Sequence, residues 1–218
     1  MGYNNFRDVF HKLAIVLDNG YCFSTFNLMN PKTVPEGIEA NSALVYGYID
    51  SMCGLSYKVL GLTYYEDGDY TLIWPNEEVG LTVRGESFRN FEIIPIENKA
   101  LSKRYTREIQ ITNECYQAGE LLERTREYEE LDSYRHEYFP DDVQVYIRNF
   151  DLKKQEQIWA RLKSYAGKTE DGSLVFAATL LNEPFADIYG MHYNDEIYIC
   201  LMYFKDGDTI LAGLSKKQ

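Results

Sequence analysis

The sequence lacks every short motif that would tie it to a known chemistry. It has no glycine-rich dinucleotide turn, no Walker A lysine loop, no HExxH zinc helix and no EF-hand acidic ladder. Nucleotide and zinc chemistry therefore lose their usual support, and no cofactor or metal is expected. Histidine is scarce, with three in 218 residues, so acid-base catalysis has few candidates. Cys22, Cys53, Cys115 and Cys200 form no CxxC pair, and there is no Asn-x-Ser/Thr sequon. That pattern fits buried thiols in a reducing, cytoplasmic compartment better than a disulfide framework. Long apolar runs are missing too: Leu13 to Leu17 is the uninterrupted run near the N-terminus, far short of the ~18 to 20 residues of a membrane span. No secretory signal is expected, and Phe6 stands where a myristoylation motif starting at Gly2 needs Ser or Thr.

Basic charge is also in deficit. Lys and Arg number 22 against 34 Asp and Glu, a formal net charge of −12. A field of that sign repels phosphate backbones and anionic lipid and attracts basic surfaces. Direct nucleic-acid and membrane binding are disfavoured, and a basic protein partner is favoured.

What the sequence does have is 45% apolar residues, 15% aromatics and 19 tyrosines, enough for a sizeable core. Phe6, Val9, Phe10, Leu13 and Val16 recur at helical spacing and predict a helix over 5–17, ended by Asn19-Gly20. A strand over 21–28 and a helix over 36–53 follow. Asp67-Gly68 between VLGLTYY and YTLIW predicts an antiparallel hairpin at 57–74. LTVRGESFRNFEIIPI reads as further strand, with Pro95 at an edge or strand end. REIQIT at 107–112 reads as strand, ELLERTREYEELDSYRHEYF as helix ended by Pro140, VQVYIRNF as strand, 152–165 as helix and SLVFAATLL as strand. A terminal hairpin at 196–214 turns at Asp206-Gly207. The pattern predicts an α+β fold: an antiparallel meander sheet, or two similar sheets, with amphipathic helices on one face. Three segments emerge, an N-terminal half at 1–105, an acidic Tyr-rich helical segment at 106–142 and a C-terminal half at 143–218. Leu62 to Leu72 and Leu201 to Leu211 agree at six of eleven positions, which fits either an old duplication or convergence on Asp-Gly turn chemistry.

Two regions carry candidate sites. Between Glu114 and Asp142, ten acidic residues face only Arg124, Arg126 and Arg135, with Tyr116, Tyr128, Tyr134 and Tyr138 interleaved. Tyrosine offers broad amphipathic contact area and carboxylates steer basic surfaces, so Glu123, Glu127, Tyr128, Glu130, Tyr134 and Tyr138 form a candidate docking face. The plainer alternative is an outer helix packing its stripe on the sheet and solvating its carboxylates. The second region is NEPFADIYGMHYNDE, where His192 with Asp187 or Glu196 is the candidate acid-base group of a small hydrolase or transferase. A solvated connection explains the same residues. His136 with Glu137, Asp141 and Asp142 lacks the spacing of a metal site. Ser87 in Gly85-Glu86-Ser87-Phe88-Arg89 departs from a nucleophile elbow at the last position and reads as a turn residue, while His11 reads as a helix-surface residue.

The leading expectation is a non-enzymatic acidic interaction module that binds, and by binding inhibits, a basic partner, of the physical type of immunity proteins or phage-encoded inhibitors. The alternatives are the His192 enzyme and a structural subunit of a larger assembly.

Overall fold

A computed structural model describes residues 5–17, 40–75, 81–149, 151–185, 187–203 and 209–215. The strand expected over 21–28, the Asn19-Gly20 turn, Cys22 and the Asp206-Gly207 turn lie outside the described residues. The fold is α+β and sheet-dominated, with strand exceeding helix more than twofold. No helix among the described residues is long and apolar enough to cross a membrane. The chain divides into two compact units, Met1–Gln117 and Ala118–Gln218. The boundary falls inside the expected acidic segment, so 106–117 belongs with the first unit and 118–142 with the second.

The first unit is built on an antiparallel sheet of β1 (Leu13–Leu17), β2 (Ser42–Asp50), β3 (Gly54–Glu66), β4 (Asp69–Pro75), β5 (Thr82–Arg84) and β6 (Glu92–Ile96). The order is β4-β3-β2-β1-β6, with β5 beside β3. The helix expected over 5–17 is instead a capped 3-10 turn, Phe6–Asp8, followed by β1. The helix expected over 36–53 is β2, all nine residues of it buried. Both corrections have one cause. A strand covered on both faces reads as a continuous apolar run, which period alone does not separate from a buried helix. Ala14, Val16, Ala43 and Val45 point to one cluster with Phe6, Val9, Phe88 and Phe91. Leu13, Ile15, Leu44, Tyr46 and Tyr48 point to the other, with Tyr105, Leu101 and Ile109.

Those last three residues come from α1 (Lys99–Arg104) and α2 (Thr106–Tyr116) and the residue between them. The strand expected at 107–112 is thus helical. Ile109 and Asn113, one turn apart, both reach the sheet, Ile109 by packing and Asn113 by accepting the Tyr46 hydroxyl at 2.8 Å. The hairpin at 57–74 forms as expected, Asp67 and Gly68 both having positive φ, 50° and 95°. Pro95 sits in β6, at the end of the sheet order.

The second unit is a closed barrel of β7 (Asp142–Asn149), β8 (Lys154–Lys168), β9 (Leu174–Leu180), β10 (Glu196–Tyr203) and β11 (Thr209–Ser215). Consecutive strands pair antiparallel, so in a five-stranded meander the first and last run the same way. Closure by β11 on β7 is accordingly parallel, with Gly213 beside Ile147. The helix expected at 152–165 is β8. Ile158, Ala160 and Leu162 are buried at every second position, a strand period that the helical reading of Ile158, Trp159 and Leu162 missed. Two register shifts in β8, near Leu162 and Tyr165, let this long strand curl around the barrel. The core is the inward set Val143, Val145, Ile147, Phe176, Ala178, Ile197, Ile199 and Leu201. The two similar hairpins thus serve different settings, an open sheet and a closed barrel.

Gly47 provides a test of the first unit. A Cβ there would lie 2.3 Å from the Val9 carbonyl oxygen, because the Phe6–Lys12 segment is bonded directly onto β2 through His11 N to Gly47 O and Gly47 N to Lys12 O. Gly47→Ala is expected to lower unfolding free energy by about 1–3 kcal/mol, measured by urea titration. An unchanged midpoint contradicts this close approach.

Candidate functional site

The acidic segment expected as one long helix is a strap folded around buried arginines. Its helix α3 (Glu120–Thr125) stops after six residues, and a 3-10 turn follows at Glu129–Tyr134. Arg126, with 2% of its side chain exposed, ends the helical run by turning inward. It donates Nε and Nη2 to the two oxygens of Asp141, each at 2.8 Å, and Nη1 to Glu123 at 2.7 Å. This is the fork geometry in which arginine binds a carboxylate most strongly. Glu123 also accepts the Ala118 amide at 3.0 Å. Arg135, 3% exposed, donates to Asp132 at 3.1 Å, to the Thr125 carbonyl at 2.7 Å and to the Pro140 carbonyl. Arg161 of β8 holds Asp142 through two bonds of 2.6 and 2.9 Å.

Tyr128, Tyr134 and Tyr138 are turned inward, while Tyr116 lies against Tyr48 in the first unit. Tyr128 stacks on Tyr165 at 5.1 Å and meets the edge of Phe176 at 5.0 Å. Tyr134 packs against the same core, and Tyr138 is 5% exposed. Of the residues read as a docking face, Glu123 is thus tied to Arg126, and Tyr128, Tyr134 and Tyr138 serve packing. Only Glu127 and Glu130 project into solvent, joined by Glu120, Glu129 and Glu137. Tyr203 at the end of β10 is 56% exposed. Its phenol is pushed above the ordinary range by burial and by the neighbouring Glu130 carboxylate. Arg126, Arg135, Asp141 and Asp142, which organise the strap, were missed as a set. Their traces in the sequence are an acid three residues ahead of each of Arg126 and Arg135 and the pair Asp141-Asp142 where β7 begins.

The connection between β9 and β10 holds the other candidates. His192 places Nδ1 2.8 Å from Glu183 Oε1 and Nε2 3.6 Å from Asp187. Glu183 also accepts the Tyr193 amide at 2.7 Å, and Asp195 accepts the His192 amide at 2.8 Å. The three side chains are open to water, 55%, 58% and 83% exposed for His192, Glu183 and Asp187. Glu196 opens β10 opposite Thr179 and is exposed. The Glu183 bond raises the His192 pKa, with the charges of Glu183, Asp187 and Asp195 adding to it. This is a solvent-exposed brace for the loop.

The remaining candidates are placed as follows. His136 accepts the Tyr138 amide at 3.1 Å and lies against Trp159, while Asp141 and Asp142 are taken by arginines. No metal-holding group of His, Cys, Asp and Glu occurs among the described residues. Ser87 lies in the 3-10 turn Gly85–Phe88. Cys200 is buried, which raises its thiol pKa. His11 is not on a helix but in the turn before β1, at φ 57°. It borders a groove of about 750 Å³ with Tyr46, Asn98, Ile109 and Asn113. Two of the groove's amides are engaged at home, Asn98 capping α1 and Asn113 holding Tyr46.

Fold and surface define a class only, a two-unit, sheet-dominated α+β protein with an acidic strap. No protein-family model matches the chain, and no match is found among curated proteins or among solved structures.

Two outcomes follow from this geometry. The folded His192 pKa lies above its unfolded value, so its contribution to loop order is present below about 6.5 and fades as pH rises through the folded pKa. NMR titration of the ring is expected to give a raised value that Glu183→Gln lowers, and a value unmoved by that change rules the brace out. On the strap, Glu127→Gln/Glu129→Gln/Glu130→Gln is expected to shift stability by less than about 0.5 kcal/mol per site, with Glu123→Gln costing more. Equal effects in thermal unfolding contradict the division between structural and projecting carboxylates.

Proposed function

We propose that the chain is a non-enzymatic binding protein that covers, and by covering inhibits, a basic surface of a macromolecular partner. The observation that carries this reading is the division of labour in the strap. Buried Arg126 and Arg135 take Glu123, Asp132 and Asp141, and half-buried Arg161 takes Asp142, while Glu127, Glu129 and Glu130 stay in solvent at the start of the 3-10 turn. Carboxylates held on an ordered backbone lose little freedom when a cationic surface arrives. Tyr203 beside Glu130 adds an amphipathic ring to the face. The −12 net charge steers basic partners to it and turns nucleic acid and anionic membranes away. Such a protein works in the physical manner of acidic immunity proteins or phage-encoded inhibitors, from within the cytoplasm. The solvated setting of His192 favours this reading over a hydrolase or transferase using His192, Asp187 or Glu196.

The test compares two variants of equal charge. Glu127→Gln/Glu129→Gln/Glu130→Gln alters the strap, and Glu66→Gln/Asp69→Asn/Glu86→Gln alters exposed carboxylates of the first unit. Binding to a panel of purified basic proteins is measured at low and high salt. One basic protein bound in a salt-sensitive manner, lost in the strap variant and kept in the control, is expected. Equal loss in both reduces the effect to bulk charge, and no binding at all removes the proposal.

A further inference from the structure

We infer that the end of the barrel opposite the strap is a second docking surface, built on Phe185, Tyr193 and Leu152, for a protein that offers an apolar pocket rimmed by lysine or arginine. The inference stands apart from the strap, which lies where β7 begins and β10 finishes. The β9–β10 connection and the β7–β8 turn occupy the other end.

The connection buries the side chains it needs for packing. Pro184 is buried, Met191 is 5% exposed and Tyr189 packs on the core. Phe185 by contrast is 96% exposed, Tyr193 61% and Leu152 55%. A phenylalanine held in water forgoes the gain of burial, and the amide of this one is tied down. The Phe185 amide donates to both oxygens of Glu156 at 3.1 and 3.0 Å. Upstream, Leu181 N donates to the Trp159 carbonyl at 2.9 Å. Downstream, the Asn149 amide group donates to the Ile188 carbonyl, and Asn149 Oδ1 accepts the Leu152 amide at 2.9 Å. Glu183, two residues before Phe185, carries the Tyr193 amide and the His192 ring. Each of the three exposed apolar residues thus has its own amide held by a side chain, Phe185 by Glu156, Leu152 by Asn149 and Tyr193 by Glu183.

Aromatic anchors on a pre-ordered backbone are the usual centre of an interface, because little order remains to be imposed on binding. The charge around them defines the partner. Asp151, Glu183, Asp187, Asp195 and Glu196, all exposed, stand within a few residues of one or another of the three in the chain, against Lys153 and Lys154, so the complementary rim is cationic. The same excess, within a chain of net charge −12, opposes a second copy as occupant.

A random-peptide display library selected on the purified protein tests this, with affinities measured for wild type, Phe185→Ser and the strap triple variant. The Phe185 side chain is solvated, so its replacement is expected to leave thermal unfolding unchanged. Selected peptides are expected to combine apolar residues with lysine or arginine, to bind Phe185→Ser about tenfold or more weakly and to bind the strap variant as they bind wild type. Peptides that ignore Phe185→Ser, that lack cationic residues, or that depend on the strap alone overturn the inference, the last while leaving the strap reading intact. Phe185-dependent sedimentation with phosphatidylcholine–phosphatidylserine vesicles also overturns it, assigning the loop to a lipid surface.

Discussion

The second unit depends on one buried ion pair. Placing the Arg126 guanidinium beside a hydrophobic barrel costs several kcal/mol of desolvation, and the structure offsets that cost with three charge-assisted bonds to Asp141 and Glu123. Because Asp141 adjoins the first residue of β7 and Arg126 adjoins the end of α3, the pair fixes where the strap enters and leaves. Arg135 then pins the turn between them through carbonyls of Thr125 and Pro140. With the backbone held, Leu131 and Tyr128 are pressed onto the barrel core and the glutamates between them are left outside. The projecting acidic face is a consequence of the buried pair.

A barrel of five strands has two ends to close, and the chain closes them differently. The strap closes one with an ion-pair network. At the other, Met191 and Tyr189 pack from a connection whose backbone is carried by Glu156, Asn149, Glu183 and Asp195. In each case polar side chains hold the main chain, and the groups left over face water: carboxylates on the strap, aromatic rings and carboxylates on the connection.

Turn chemistry was legible in the sequence. Asp67-Gly68 demanded positive φ at two successive residues, and only a tight hairpin supplies it. The alternating strands β7 and β9 were equally plain, each having one buried and one less buried face. Period failed where burial was two-sided, as in SALVYGYID, or where an alternating pattern in a long strand mimicked a helical stripe, as in β8. REIQIT failed in the opposite sense: its alternation suits a strand, but packing of Ile109 against the sheet made it helix. In the candidate site, the carboxylate excess was visible and its partition was not. Glu123 and Asp132 stand three residues ahead of the arginines they meet, but Asp141 and Asp142 return to Arg126 and Arg161 from distant positions, a three-dimensional fact with no local signature.

The most direct measurement is a double-mutant cycle between Arg126 and Asp141, using Arg126→Met, Asp141→Leu and the pair, followed by urea unfolding. Each single change strands a buried charge and is predicted to cost about 3–5 kcal/mol. The double variant is predicted to recover much of that loss, with a coupling of about 2–3 kcal/mol. Additive losses, or single variants within about 0.5 kcal/mol of wild type, would contradict the account and leave the strap without its organising interaction.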